Sequence, residues 1–535
     1  MKISPRFLLL FAIALLSTTD HTFAQYTKWN QCYGGTGYDG FQSVKPTTDG
    51  GFIAIGSTES NDSLIKPRHS LGEIYVVKTD SNGNQQWYNT YGGNSDDFGY
   101  DIVQTPDGGY LFVGGTYSND GDFTGKNHGL EDMFAIKTDS AGNIQALNLY
   151  GGSNSDEAHA ITASADGYYY VTGFTSSTDG DVTQSFGDND FWLLKIDVGC
   201  NLIWEQSYGG SNDDIANAVA ATSDSGCIIA GSTISNDGEV TGNHYSEDYW
   251  VVKVNSSGAL QHEQCFGGYY TDFANGVAVT KGGDYMVCGA VSDSAISIPG
   301  PDTSGNITYS FGGQDFWVLK LNDTLGLVWQ QSYGGDSNEV ANNIISDTTD
   351  GSSYVIGYTN SISGEITFNA GKTDVWLTRI DSSGNLLWQT CIGDTGNDYG
   401  NSVNALSDGD IIAAGTSNSN ANYFATNHGN EDGFITRLSS IPSGITTPSL
   451  HAEAVVYPNP TSNNLTVQLF NTTAIKSIQL QLIDVTGRTV LEGTGQSNSS
   501  YYYNQMNIAL LPAGIYFLSM KVNNSELVVK KIVKD

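Results

Sequence analysis

Basic residues are scarce in this 535-residue sequence. Only 22 Lys and Arg stand against 57 Asp and Glu, for a net charge of −35. That shortage excludes a charge-based grip on nucleic acid or on an anionic membrane face. Long apolar runs are missing too. The stretch from Phe7 to Leu16 is too short to cross a bilayer. No later run is longer, so the mature chain reads as soluble and without a transmembrane segment. Cysteine is sparse, with six in all. Cys32, Cys265 and Cys391 occupy one equivalent position in three copies of a repeat, which keeps them apart, and no disulfide framework is predicted. No stretch carries an apolar period of 3.6, which excludes helical bundles and doubly wound α/β folds.

What the sequence does have begins with an address. Lys2 and Arg6 precede the short apolar run, and "TFA" at 22–24 supplies a small-residue cleavage site ahead of Gln25. Residues 1–24 are therefore expected to be a secretory signal peptide. No Cys follows the cleavage point, so a lipid anchor is not indicated. The acidity that follows is local. Between residues 26 and 445, 14 Lys and Arg face 51 Asp and Glu, a charge of −37. Carboxylates in such excess keep an exported protein soluble.

That acidic region is a repeat. "NQQWYNTYGGNSDD", "NLIWEQSYGGSNDD", "LGLVWQQSYGGDSNE" and "GNLLWQTCIGDTGND" are variants of one phrase. Aligned on its Trp position, the chain falls into seven units starting at Trp29, Trp87, Ala146, Trp204, His262, Trp329 and Trp388, spaced by 58, 59, 58, 58, 67 and 59 residues. Periods of this size signal a solenoid, a propeller or an array. Inside a unit, the Gly-Gly is followed by an acid: Asp39, Asp97, Asp156, Asp214, Asp272, Glu339 or Asp398. Next come an alternating segment, a tight turn such as "PDGG" at 106–109, an apolar segment ending in Gly, and a polar loop of variable length. A segment "D-x-[aromatic]-x-x-[KR]" and an Asn-Gly-type turn lead to the next Trp. Short alternating segments with such turns are antiparallel hairpins. Each unit is thus a four-stranded meander.

The last unit stops at "EDGFITRL", 431–438, without a Trp strand, while the first has a spare one, "TKWNQCYGG", 27–35. The spare strand is expected to complete the last unit and lock a ring. The sequence predicts an all-β protein: a seven-bladed β-propeller over 25–438, a linker at 439–452, and a small immunoglobulin-like β-sandwich over 453–535. Each Trp is expected on an outer strand, wedged against the next blade. The units resemble bacterial β-propeller repeats of the form "GG…DD…A…DGG…V.G…D.[FW]…K.D..G…W" across about residues 27–438. That resemblance implies a fold and leaves function open.

After the Ser/Pro/Gly/Thr-rich "SSIPSGITTPS" the period vanishes. The tail resembles the C-terminal sorting domain of the type IX secretion system. The matching residues are Tyr457, Pro458, Asn459 and Pro460 of "YPNP", Asp484, Gly487 and Arg488 of "D-x-x-G-R", Leu511, Gly514 and Tyr516 of "L-x-x-G-I-Y", and Lys530 and Lys531 of the terminal "KKIVK". The resemblance implies recognition by the secretion machinery, passage from the periplasm through the outer membrane, and removal of the domain. The product is then secreted or held at the outer-membrane surface.

Candidate chemistry is thin. The seven acids after Gly-Gly would ring one mouth of the axial channel, as an axial cation site or as caps for backbone N–H groups. Their presence in every unit favours caps. A second set, Glu73, Asp132, Asp190, Asp248, Asp315, Asp374 and Asp432, is followed five residues later by Lys or Arg each time, which reads as structural ion pairing. His69, His128, His244 and His428 each lie four residues before one of these acids. They sit on separate blades, so they cannot share one metal ion, and they read as loop caps. No cofactor is called for. "SNDGDFTG" at 118–125 allows only weak calcium binding, and it lacks the EF-hand pattern.

The Gly-Gly crossings and the loops between second and third strands share one face, and loop variation there is where repeat proteins bind. The largest insertion is 291–315. Candidate binding residues on this face are Asp302, Asn306, Tyr309, Tyr245 and Tyr117, the tyrosines as stacking partners for sugars or as packing for their own loops. An enzyme would break the repeat with a cluster of non-repeat acids, His or Tyr from adjacent blades, and the sequence shows no such cluster. The leading expectation is a non-enzymatic propeller that binds an extracellular glycan or protein. A secreted polysaccharide hydrolase or lyase and a structural surface component are the alternatives.

Overall fold

The computed structural model describes residues 27–62, 64–65, 72–292, 311–366, 369–420, 422–424, 426–439, 452–457, 463–471, 476–484, 488–495, 501–522 and 526–534. The predicted signal peptide, His69, Asp302, Asn306, Tyr309, Pro458 to Pro460 and Gly487 lie outside them. The chain divides into two compact units at residues 441/442.

In the first unit, β1 (Thr27–Tyr33) precedes a meander of β2 (Asp39–Pro46), β3 (Phe52–Thr58), β4 (Glu73–Thr79) and β5 (Gln85–Tyr91). Five more meanders with the same order follow, beginning at Asp97, Asp156, Asp214, Phe273 and Glu339. The last sheet combines Asp398–Ala405, Ile411–Ser417 and Asp432–Leu438 with β1. β1 pairs antiparallel with Asp432–Leu438, Cys32 opposite Phe434. The spare N-terminal strand therefore completes the last sheet. The innermost strand of each sheet touches that of the next, and the last touches β2. These blades are numbered 1 to 7 from β2 onward.

Local chemistry sets each turn. Between β4 and β5, the Asp80 carboxylate accepts the N–H groups of Asn82 at 2.8 Å and Asn84 at 2.9 Å, with Gly83 at φ 80°. An Asx turn of this kind supplies locally what the hairpin needs. The Lys or Arg that recurs in the third strand reaches the turn between the first and second. Lys78 pairs with Asp49 at 2.9 Å, Lys137 with Asp107 at 3.0 Å, Lys195 with Asp166 at 2.6 Å, and Arg437 with Asp408 and Asp410. The expected pairing is thus strand to turn.

The seams between blades follow one rule. Tyr33, Tyr91, Tyr208 and Tyr333 each donate a hydrogen bond of 2.6 Å to the carbonyl of a turn glycine in the next blade: Gly83, Gly142, Gly258 and Gly384. Onto those glycines pack Trp29, Trp87, Trp204 and Trp329. Each glycine is at φ between 80° and 85°, so the turn requires left-handed backbone and the Trp ring leaves no room for a Cβ. In blades 3 and 5 the turn residue is Cys200 at φ 61° or Leu325 at φ 63°, both buried. At those two seams the Trp position of the preceding blade holds Ala146 or His262. Cys200 and Ala146 share one packed cluster. A larger turn side chain replaces the volume of the missing indole, which accounts for both departures from the repeat.

The second unit is two sheets. One joins Ala452–Tyr457, Asn464–Asn471 and Tyr501–Asn507, and the other joins Ile478–Asp484, Thr489–Gly495, Gly514–Val522 and Glu526–Lys534. Leu465, Val467 and Met506 from the first sheet and Leu480, Leu518 and Ile532 from the second form one core, which is a β-sandwich.

The seam rule predicts coupling. Gly258→Leu, which copies Leu325 but faces Trp204, is expected to cost about 2–3 kcal/mol. Combining it with Trp204→His should recover at least ~1 kcal/mol relative to the sum of the single changes. Urea melts of the four proteins followed by circular dichroism measure this, and simple additivity would contradict the volume exchange.

Candidate functional site

The acids that open the inner strands come first, because the structure shows them spent. Asp39, Asp97, Asp156, Asp214, Asp272, Glu339 and Asp398 are all buried. One oxygen of each accepts a backbone N–H from the preceding crossing, as in Gly35 to Asp39 at 2.7 Å, Gly93 to Asp97 at 2.7 Å and Gly335 to Glu339 at 2.7 Å. Hydroxyls at the end of the second strand donate as well: Thr58 and Ser60 to Asp39, Thr116 and Ser118 to Asp97, Ser417 and Ser419 to Asp398. These are caps, not an axial cation site. The second acid set is held at one oxygen only, and the Oδ1 atoms of Asp132, Asp190, Asp248, Asp374 and Asp432 are buried without a hydrogen-bond partner. Asp132, Asp248 and Asp432 accept both the N–H and the Nδ1 of His128, His244 and His428 within 2.9 Å. The three described histidines thus cap loops, as expected. In the Asp-rich loop at 118–125, Asp120 accepts the Asn94 N–H and Asp122 the Gly92 N–H. Among the described residues no group of three or more His, Cys, Asp or Glu is arranged to hold a metal ion.

The axial channel is a cavity of about 580 Å3 lined by all seven inner strands. Each of these strands carries a β-bulge, and the bulged residues are Gln42, Tyr100, His159, Asn217, Asn275, Asn342 and Asn401. A bulge re-aims one side chain, and these seven all line the channel. Their amides run round the axis. Asn217 donates to the Ala274 carbonyl at 2.9 Å, Asn275 to Ala341 at 3.0 Å, Asn342 to Gly400 at 3.0 Å, and Asn401 to Phe41 at 2.9 Å. The bulge also explains the glycine in each second strand. At Gly114 a Cβ would collide with the Phe98 carbonyl that the bulge displaces.

Where this ring stops being amides, a cluster appears that sequence reasoning missed. Tyr100 and His159 are the ring members of blades 2 and 3, and their rings meet edge-on at 5.3 Å. His159 Nδ1 donates to the Ala216 carbonyl at 2.9 Å, and its Nε2 lies 3.6 Å from a Glu157 oxygen. Glu157 also takes the Tyr100 hydroxyl. Glu131, buried at the start of the third strand of blade 2, takes the hydroxyl of Tyr117. The two carboxylates diverge. Burial and the nearby Glu157 push Glu131 up to about 7. Burial also acts on Glu157, but His159 and Tyr100 outweigh it and hold it below the usual carboxylate range. Burial alone would lower His159, yet Glu157 and the Ala216 carbonyl keep it above its ordinary value. Five side chains from two blades thus form the kind of acid, His and Tyr group that the sequence did not reveal. The signal was present as departures from alignment: Glu157 stands where other units carry Gly40, Phe98, Ile215, Phe273, Val340 or Tyr399.

Of the expected binding residues, Tyr117 and Tyr245 are described. Tyr117 is joined to Glu131 between blades 2 and 3, whereas Tyr245 lies in a loop of blade 4 and is 86% exposed. Tyr423, a further loop aromatic, bonds the Thr27 and Thr436 hydroxyls and packs against its own loop. In the sandwich, Arg488 closes the "D-x-x-G-R" turn on Asp484, with its N–H and its Nε each 3.1 Å from a carboxylate oxygen. Tyr457 ends the first strand opposite Thr466. Gly514 opens the strand in which Tyr516 donates to the Pro512 carbonyl at 2.8 Å. Lys530 and Lys531 are exposed on the last strand.

Residues 455–535 match the family model of the secretion system C-terminal sorting domain. The chain is therefore exported through type IX secretion to the cell surface or the extracellular space. No helix among the described residues is long and apolar enough to cross a membrane. No curated protein matches the chain. Solved structures with similar outlines include an apocarotenoid oxygenase of Synechocystis, at 11% identity and TM-score 0.37 over 90% of this chain and 97% of that one. Another is a puromycin hydrolase, at 12% identity and TM-score 0.36 over 72% of this chain and 51% of that one. Likeness at that level carries no functional argument.

The buried acids set the pH response. Burial raises Asp97, Asp214, Asp132, Asp248 and Asp374 to about 6. Folded protein then holds protons that the unfolded chain releases, so stability from these groups falls as pH rises through about 4 to 6. The turn acids act oppositely. The Thr105 hydroxyl and Lys137 hold Asp107 down to about 2, so its contribution is lost as pH falls below about 4. Melting temperature is expected to rise from pH 8 to an optimum near about pH 5 and to fall below it. A melt series showing greatest stability at pH 8 would contradict this.

Proposed function

We propose that the propeller is an exported recognition module that binds an extracellular glycan or protein through the face carrying its crossings and second-to-third-strand loops. One observation carries the reading. The acids that open the inner strands and the repeated cations are held by contacts of the fold, while the departures that packing does not offset gather on that face. A ligand rarely uses seven equivalent positions alike, so recognition belongs to the departures. The predicted signal peptide fits a route through the periplasm, and exposed Lys530 and Lys531 suit contact with the secretion machinery. Weak calcium binding at 118–125 rests on the sequence pattern alone.

The cluster of Tyr100, Tyr117, Glu131, Glu157 and His159 favours a second reading, a polysaccharide hydrolase or lyase. A carboxyl poised near neutrality beside an ionised one is the arrangement of a general acid with a charged partner. Incubating the exported chain with a glycan array and with soluble polysaccharides, with and without calcium, separates the two. Binding module behaviour is retention of ligand with no new reducing ends or unsaturated products. Turnover that falls at least ~100-fold in Glu131→Gln would establish the second reading and overturn the first.

A further inference from the structure

The repeat breaks three times at one place on the loop face, and each break installs a tyrosine. The residue after the loop histidine or its equivalent is Gly129, Gly187, Gly312, Gly371 and Gly429 in blades 2, 3, 5, 6 and 7. A Cβ at any of them would strike the backbone of the adjoining crossing. Blade 4 carries Tyr245 instead. The loop keeps its form, because the Tyr245 N–H still bonds the Asn243 side chain at 2.9 Å, as the Gly129 N–H bonds Asn127 and the Gly429 N–H bonds Asn427. What changes is the backbone, which adopts φ 93° at Tyr245. A bulky residue at positive φ is strained, and strain of this kind collects at functional positions.

The adjoining crossing changes as well. After its second glycine position, the other units place small polar pairs such as Asn94-Ser95, Ser153-Asn154 and Ser211-Asn212. The crossing from blade 4 to blade 5 places Tyr269 and Tyr270, 58% and 41% exposed. The three rings adjoin. Tyr245 and Tyr269 have centroids 6.1 Å apart, and Tyr269 and Tyr270 meet edge-on at 5.4 Å. Polar groups border them, with the Ser246 and Thr271 hydroxyls 3.3 Å from each other.

We infer that Tyr245, Tyr269 and Tyr270 form a stacking platform for a neutral polysaccharide, an assignment that rests on the binding reading above and places its site. Tyrosine offers an apolar face to the C–H side of a sugar ring and a hydroxyl to its OH groups, with little side-chain freedom to lose. An exposed aromatic group of this size on a soluble protein marks an interaction surface. The surrounding charge selects the ligand. With 51 acids to 14 bases over residues 26–445 and Glu247 two residues beyond Tyr245, a polyanion such as alginate is repelled, whereas an uncharged chain is not.

The test is native affinity electrophoresis of the full exported chain through gels containing laminarin, xyloglucan, mannan or alginate. At least one neutral polysaccharide should slow it, and alginate should not. Tyr245→Gly is the informative variant because it restores the residue of five other blades and removes the positive-φ strain, so its melting temperature should be unchanged or higher. It and a Tyr269→Ala/Tyr270→Ala variant should each weaken retardation at least tenfold. Retardation that both variants retain would overturn the platform and leave a glycan-binding propeller with its site elsewhere. Retardation by alginate alone would overturn the neutral-chain assignment, and retardation by none of the four would overturn the carbohydrate assignment while leaving a protein ligand open. A sedimentation shift of the parent chain that Tyr245→Gly abolishes would instead assign the patch to a second copy, and would likewise overturn it.

Discussion

A buried carboxylate at the head of each inner strand holds this architecture together. Asp97 shows how: its oxygens take the Gly93 N–H of the incoming crossing and the hydroxyls of Thr116 and Ser118 at the end of the second strand. Three segments of one repeat unit thereby meet at one charge. Removing such a group from water is costly, and only a full set of donors offsets the cost. The same requirement makes the crossing, the inner strand and the second strand recur together in every unit. It also explains why the seven acids are unavailable for a ligand.

Once the crossings are fixed, two further constraints act at opposite ends of each blade. At the axis, a bulge in every inner strand swings one side chain into the channel, and the glycine of the second strand yields to the displaced carbonyl. At the rim, an indole fills the space above a turn glycine of the next blade. Where the indole is absent, Cys200 or Leu325 fills the same space from the other side. Close packing tolerates neither a void nor an overlap, so these departures compensate within the fold. Departures with no such compensation stand out against them. Tyr245, Tyr269 and Tyr270 lie open to solvent, and Glu131 and Glu157 lie close together with no Lys or Arg between them in the contacts that hold them.

The architecture was legible in the sequence because each of its determinants is local and repeated. Asp-Gly and Asn-Gly turns, alternating strands and the Gly-Gly crossing are written once per unit, and the surplus strand at 27–33 is written at the other end of the chain from the deficit at 438. The roles of the acids were legible too, since a residue required in every blade is a residue the fold requires. The channel ring was not, because a bulge is a register shift between paired strands, and a single strand shows no register. The mouth cluster was not, because Tyr100, Tyr117, Glu131, Glu157 and His159 are neighbours only across a blade seam.

By itself, then, the sequence determined an acidic all-β repeat protein, the closure of its last sheet, and a sorting domain that sends it out of the cell. These depend on patterns within a few residues or on one period. Tertiary structure alone decided which side chains share a site. It separated Tyr117 from Tyr245, tied Tyr423 to the Thr27 and Thr436 hydroxyls, and brought Tyr245 beside Tyr269. The reason is geometric: a closed ring makes neighbours of residues some 25 to 60 positions apart in adjacent blades, and whether a side chain is spent in packing or left for a ligand depends on what the next blade sets against it.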